Sequence, residues 1–126
     1  MKSHGLPHAE TVLVVEDELL IRMDIVDCLT EAGFEVLEAA NADRAIEILE
    51  SRDDIRLVFT DVDMPGSMDG LKLAAFVHSR WPPIQLIVAS GHISVLGSDL
   101  PPGGRFFKKP YERIEIARAV RDMIQS

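Results

Sequence analysis

Five times along this chain of 126 residues, an apolar run of strand length is followed by residues in helical spacing. That rhythm predicts a parallel sheet covered by helices on both faces. The run "TVLVVE", residues 11–16, is apolar at nearly every position, as a strand buried on both faces near the middle of a sheet must be. Between Glu18 and Ala32, the positions Ile21, Ile25, Cys28, Leu29 and Ala32 keep helical spacing, and Gly33 suits the left-handed residue that ends a helix. "FEVLEA", residues 34–39, alternates and predicts an outer strand, after which Asn41 predicts the cap of a helix that turns Ala45, Ile46 and Leu49 inward. "RLVFT" is the third strand, residues 70–80 a helix that stops before Pro82 and Pro83, and "IQLIVAS", residues 84–90, the fourth strand. Residues 103–108 give the fifth strand, and Ile114, Ala117, Val120, Arg121 and Ile124 set the inner stripe of a last helix. Only "GHISVLGSDLPP", residues 91–102, breaks the rhythm, because Gly97, Pro101 and Pro102 leave room for a short or irregular fourth helix at best.

These units use up the chain, so one α/β domain over residues 10–126 is expected, with residues 1–9 as a loose tail. No apolar run approaches the roughly 20 residues of a membrane span, and "MKSHGLPHAE" lacks the apolar core of a secretory signal. The expected compartment is the cytoplasm. Cys28, the only cysteine, excludes an internal disulfide and a thiolate zinc site. The net charge of -8 argues against nucleic acid as a partner, since that binding rests on Lys and Arg neutralising phosphates. Proteins are the expected partners.

In an open parallel sheet, ligands bind beyond the carboxyl ends of the strands. The first strand ends at Glu16 and Asp17, the third at Asp61 within "TDVDMPGSMDG", the fourth at Ser90 and the fifth at Lys109. One rim therefore gathers three acids, a hydroxyl and an ammonium. Two carboxylates about 4 Å apart repel by roughly 4 kcal/mol at an effective dielectric near 20, so such a cluster takes up protons or a cation. Mg2+ suits it best, with Mn2+ as a substitute, because the candidate ligands are oxygens and neither His nor Cys stands at these strand ends. Lys109 and the Ser90 hydroxyl can meet an anion such as a phosphoryl group, for which the Asp61 carboxylate is a known kind of nucleophile. Taken singly, Asp17 reads as a helix cap, Met64-Pro65-Gly66 as a turn and Lys109 as a solvated charge. Their coincidence at four strand ends is what those readings leave unexplained.

With these residues in view, the chain resembles the response regulator receiver domains of two-component signalling. The resemblance rests on "VVEDE" with Glu16 and Asp17, Asp61 followed by Met64-Pro65 and "MDG" at 68–70, "VASG" with Ser90, and "FFKKP" with Phe106, Lys109 and Pro110. It implies a flavodoxin-like fold of strand order 2-1-3-4-5 and a phosphoryl group moving from a phosphohistidine on a sensor kinase or phosphotransfer protein to Asp61. It further implies magnesium held by Asp17, Asp61 and the backbone carbonyl of Asp63, with Glu16 acting through water. Lys109 and Ser90 would bond the phosphoryl oxygens, Phe106 would serve as the switch aromatic, and Lys109-Pro110 would be cis. Against the usual pattern, the loop from Asp61 to Gly70 is one residue longer, and Phe106 lacks the hydroxyl of a frequent Tyr. Receivers also signal or form homodimers through the face built from the fourth helix, fifth strand and last helix, which must differ here.

Two further expectations concern neighbours of these residues. Asp63 and His92, each two positions past a site residue, are expected to tune the rate at which water removes the phosphoryl group. Leu20 and Asp24, off the inner stripe of the first helix, are expected to meet the kinase. Two rivals share parts of the pattern. A small phosphatase of haloacid dehalogenase-like type also uses an aspartate nucleophile, but its second acidic pair follows that nucleophile, whereas Glu16 and Asp17 precede Asp61. A flavin-binding module on the same sheet needs a hydroxyl-rich phosphate loop where this chain has Glu16, Asp17 and Glu18.

Overall fold

A computed structural model describes residues 9–66, 68–91 and 99–125. Its elements are β1 (Thr11–Val15), α1 (Leu19–Glu31), β2 (Glu35–Ala39), α2 (Ala42–Ser51), β3 (Ile55–Asp61), α3 (Gly70–Arg80), β4 (Gln85–Ser90), β5 (Arg105–Lys108) and α4 (Arg113–Gln125). The strands form one sheet in the order β2-β1-β3-β4-β5, with every neighbouring pair parallel. This is the flavodoxin-like order expected. The expected irregular helix between β4 and β5 falls largely on residues 92–98, outside the described residues.

The alternation of side chains along a strand splits the core into two halves. Val12, Val14, Leu57, Phe59, Ile87 and Ala89 face α1 and α4. Leu13, Val15, Val58 and Val88 face α2 and α3. All of these are buried, which is why the inner strands read as continuous apolar runs rather than alternating ones. β2 lies at the edge as expected but does not alternate, because half-buried Val36 and Leu37 pack against opposite halves of the core.

Local chemistry closes the helices where the sequence places it. Gly33 takes φ of 102°, and its N–H bonds back to the Thr30 carbonyl at 3.0 Å. The Asn41 side chain accepts from the Arg44 N–H at 2.8 Å, and Asp69 does the same for Lys72 at 2.9 Å at the start of α3.

The inner stripe of α4 differs from the one read from the sequence. Ile116, Ala117, Ala119, Val120, Met123 and Ile124 are buried, whereas Ile114 is 51% exposed and Arg121 is exposed too. The buried stripe is centred on Ile116, Val120 and Met123, so Ile114 and Arg121 fall beside it. Arg121 instead donates to the Ala32 carbonyl at 2.6 Å and covers the Phe34 ring. This placement has a direct test in urea unfolding. Ile116→Ala should lower stability by about 2–5 kcal/mol, and Ile114→Ala should stay within about 0.5 kcal/mol of the native chain. A larger loss from Ile114→Ala would restore the original stripe.

Candidate functional site

Strand order puts the ends of β1, β3, β4 and β5 along one rim, and the polar residues of the sequence meet there. Glu16, Asp17 and Asp61 each contribute a carboxylate oxygen to a group in which all lie within 4.8 Å of one another. Lys109 Nζ stands 2.7 Å from Asp61 Oδ1 and 3.7 Å from Glu16 Oε1. Ser90, at the end of β4, is fully buried, and its hydroxyl donates to Asp63 Oδ2 at 2.9 Å.

Each side chain is placed by backbone bonds that the local sequence makes possible. The Val62 N–H donates to the Ala89 carbonyl at 2.8 Å, which fixes the exit of β3 against β4. The Thr60 hydroxyl donates to the Asp61 carbonyl at 3.0 Å, and the Gly70 N–H to the Val62 carbonyl at 3.1 Å. A Cβ on Gly70 would lie 2.0 Å from the Asp61 carbonyl oxygen, so only glycine lets α3 begin this close to Asp61. On the far side, Lys109 follows β5 with its N–H bonded to the Ser90 carbonyl at 2.9 Å, and the Lys109-Pro110 bond is cis.

The β1–α1 turn overturns the capping reading of Asp17. Glu18 is the N-cap residue and makes no side-chain cap bond; its own N–H donates instead to Glu16 Oε2 at 3.0 Å. Asp17 is thereby released from the cap. Arg22, which the sequence reading passed over, donates to the Glu16 carbonyl and to Glu38 Oε1, both at 2.8 Å, and so ties this turn to the end of β2. A lone arginine on a helix flank gives little sign of such a role in sequence.

Electrostatics follow from burial. Glu16 and Asp61 are 1% and 2% exposed. Loss of water pushes the Glu16 carboxyl up to about 7; the Glu18 N–H and the Lys109 charge oppose this and the Asp61 charge adds to it. Burial likewise raises Asp61 above the usual carboxylate range, further than Lys109 draws it down. Burial disfavours the Lys109 ammonium, but Asp61 and Glu16 more than reverse this and hold its pKa above the ordinary value. Glu16 Oε1 is buried without a hydrogen-bond partner, and buried Asp61 Oδ1 is met by the Lys109 ammonium at 2.7 Å. Unsatisfied buried carboxylate oxygens are costly, and with Asp17 beside them they form the all-oxygen donor set that a hard divalent cation takes.

Asp63 is half-buried, and Phe106, also half-buried, lies against the core on the α2 and α3 side. Leu20 is 79% exposed, and Asp24 is exposed and paired with Arg113 at 3.1 Å. Leu20 and Asp24 also line a shallow cavity of about 390 Å³ with Lys109, Pro110 and Tyr111. His92 lies outside the described residues.

Comparison with known proteins gives the family of the chain. The family model of the response regulator receiver domain matches residues 12–121. The sensor kinase CckA of Brucella abortus is 34% identical over 98% of this chain, and the response regulator protein FleR of Pseudomonas aeruginosa is 34% identical over 92%. This chain spans 13% of the length of the first and 24% of the second. Among solved structures, a response regulator receiver protein from Sinorhizobium medicae superposes with a TM-score of 0.87 at 28% identity, covering 94% of this chain and 96% of that one. The receiver domain of the hybrid histidine kinase CckA gives 0.78 at 31% identity, covering 91% and 99%. The chain belongs to the response regulator receiver family, the signalling modules of two-component systems.

The raised Glu16 pKa sets a sign for stability against pH. The folded chain holds this proton to about pH 7, whereas the unfolded chain releases it at the ordinary value of 4.5, so folding loses support as pH rises through that window. With divalent cations chelated, the urea midpoint of the native chain should fall from about pH 5 to about pH 8 more steeply than that of Glu16→Gln. Equal slopes would contradict the burial argument.

Proposed function

We propose that Asp61 is the phosphoacceptor of this receiver, in the cytoplasm, and takes its phosphoryl group from a phosphohistidine on a sensor histidine kinase or a histidine phosphotransfer protein. The observation that carries this reading is a buried carboxylate at a strand end with an ammonium 2.7 Å away and two further acids in reach. An Asp61 oxygen attacks phosphorus, the P–N bond breaks, and its electron pair returns to the imidazole nitrogen. Lys109 is placed to neutralise a phosphoryl oxygen, and the Ser90 hydroxyl to donate to another once it turns toward Asp61. Phe106 follows that movement by packing alone.

Glu16, Asp17, Asp61 and the backbone carbonyl of Asp63 would hold Mg2+, or Mn2+ in its place. When bound, the ion offsets the charge of the carboxylates and of the incoming phosphate. Asp63 and His92, each two positions past a site residue, would set how long the phosphoryl group lasts.

The kinase-facing surface lies beside the site. Leu19, Leu20, Met23 and Ile114 are large apolar side chains at least 48% exposed, and Leu20 lines the Lys109 and Pro110 cavity together with Asp24. Output passes to a downstream protein by contact.

Treating the chain with acetyl phosphate and magnesium should add one phosphoryl group, located by mass spectrometry at Asp61. Asp61→Asn or a chelator should abolish it, and Asp63→Asn or His92→Ala should change its decay rate. A phosphoryl group found elsewhere would defeat the reading. In a separate measurement, Leu20→Ala with Asp24→Ala should slow transfer from a phosphorylated histidine kinase by about tenfold while leaving labelling by acetyl phosphate unchanged. Unaltered transfer would remove α1 from the docking surface.

A further inference from the structure

The contact between Ser90 and Asp63 has a use beyond placing the two residues. Asp61 and Ala89 are register partners on β3 and β4, and the Val62 N–H is bonded to the Ala89 carbonyl. Ser90, the last residue of β4, and Asp63, two residues beyond the end of β3, are brought side by side by this backbone pairing. There the Ser90 hydroxyl gives its proton to Asp63 Oδ2 at 2.9 Å, within a pocket that leaves Ser90 no exposed surface. A serine hydroxyl carries a single proton, and while that proton is bonded to Asp63 it is not available to a phosphoryl oxygen on Asp61. Bonds of this kind to a carboxylate are roughly twice as strong as neutral ones.

We infer that the Asp63 side chain is a positioning residue which holds the Ser90 hydroxyl in the resting state, so that phosphorylation of Asp61 must win the hydroxyl from Asp63 before the switch can turn. This rests on the reading of Asp61 as phosphoacceptor and deepens it. Asp63 then has two separable roles. Its backbone carbonyl would help hold the cation, and its carboxylate sets the threshold of the conformational change. The second role runs entirely through Ser90, which distinguishes it from a general effect of charge near the site.

A double-mutant cycle on the full chain separates the two effects. The probe is beryllofluoride, a phosphoryl mimic, titrated calorimetrically in saturating magnesium against the native chain, Asp63→Ala, Ser90→Ala and the double variant, each checked for native circular dichroism. Removing the Asp63 charge favours an anion in either background, so only the difference between backgrounds reports the hydrogen bond. Asp63→Ala should tighten binding about tenfold more when Ser90 is present than when it is alanine. Asp63→Asn, which keeps an acceptor without the charge, should fall between, and it carries the test should the alanine variant not fold. An equal change in both backgrounds, or weaker binding on removing Asp63 beside Ser90, overturns the inference and leaves the phosphoacceptor reading standing. Failure of the native chain to bind beryllofluoride at all overturns both.

Discussion

Two carboxylates, Glu16 and Asp61, are carried out of water at the ends of the two central strands, and the rest of the site exists to make that tolerable. Burial of like charges is unfavourable twice over, through lost hydration and through mutual repulsion. The fold answers with an ammonium from Lys109 and a backbone N–H from Glu18. Neither partner is a neighbour of Asp61 in sequence. They meet because parallel strands all point their carboxyl ends the same way.

The supports of the site are mostly backbone, and this divides rigid parts from movable ones. The exits of β3 and β5 are bonded to β4 through Val62 with Ala89 and through Lys109 with Ser90. Within that frame, Ser90 and half-buried Phe106 are the residues proposed to switch. They stand on adjacent strands, Phe106 being the register partner of Val88, two residues before Ser90.

Much of this was legible in sequence for a simple reason. Continuous apolar runs such as "TVLVVE" have only one good home, between two helical layers, and once they are placed the polar residues that follow them are placed as well. Gly33 and Asn41 announced helix ends through chemistry that few other residues perform. What failed did so where one pattern serves two geometries. In α4 a stripe through Ile114 and Arg121 fits helical periodicity nearly as well as the stripe through Ile116 and Met123, and only packing against α1 and the sheet decides between them. Asp17 has a residue type that suits a cap, yet it is the side chain of Glu16 that takes the Glu18 N–H. Arg22 and the bond between Ser90 and Asp63 join residues 6 and 27 apart, and no local rule reads across such gaps.

The missing side chain of Gly70 brings backbone against backbone. With the first residue of α3 seated directly on the Asp61 carbonyl, helix and strand end meet with no side chain between them. A shift at the start of α3 therefore presses on the Asp61 backbone itself, and any side chain at position 70 would have to wedge the two elements apart.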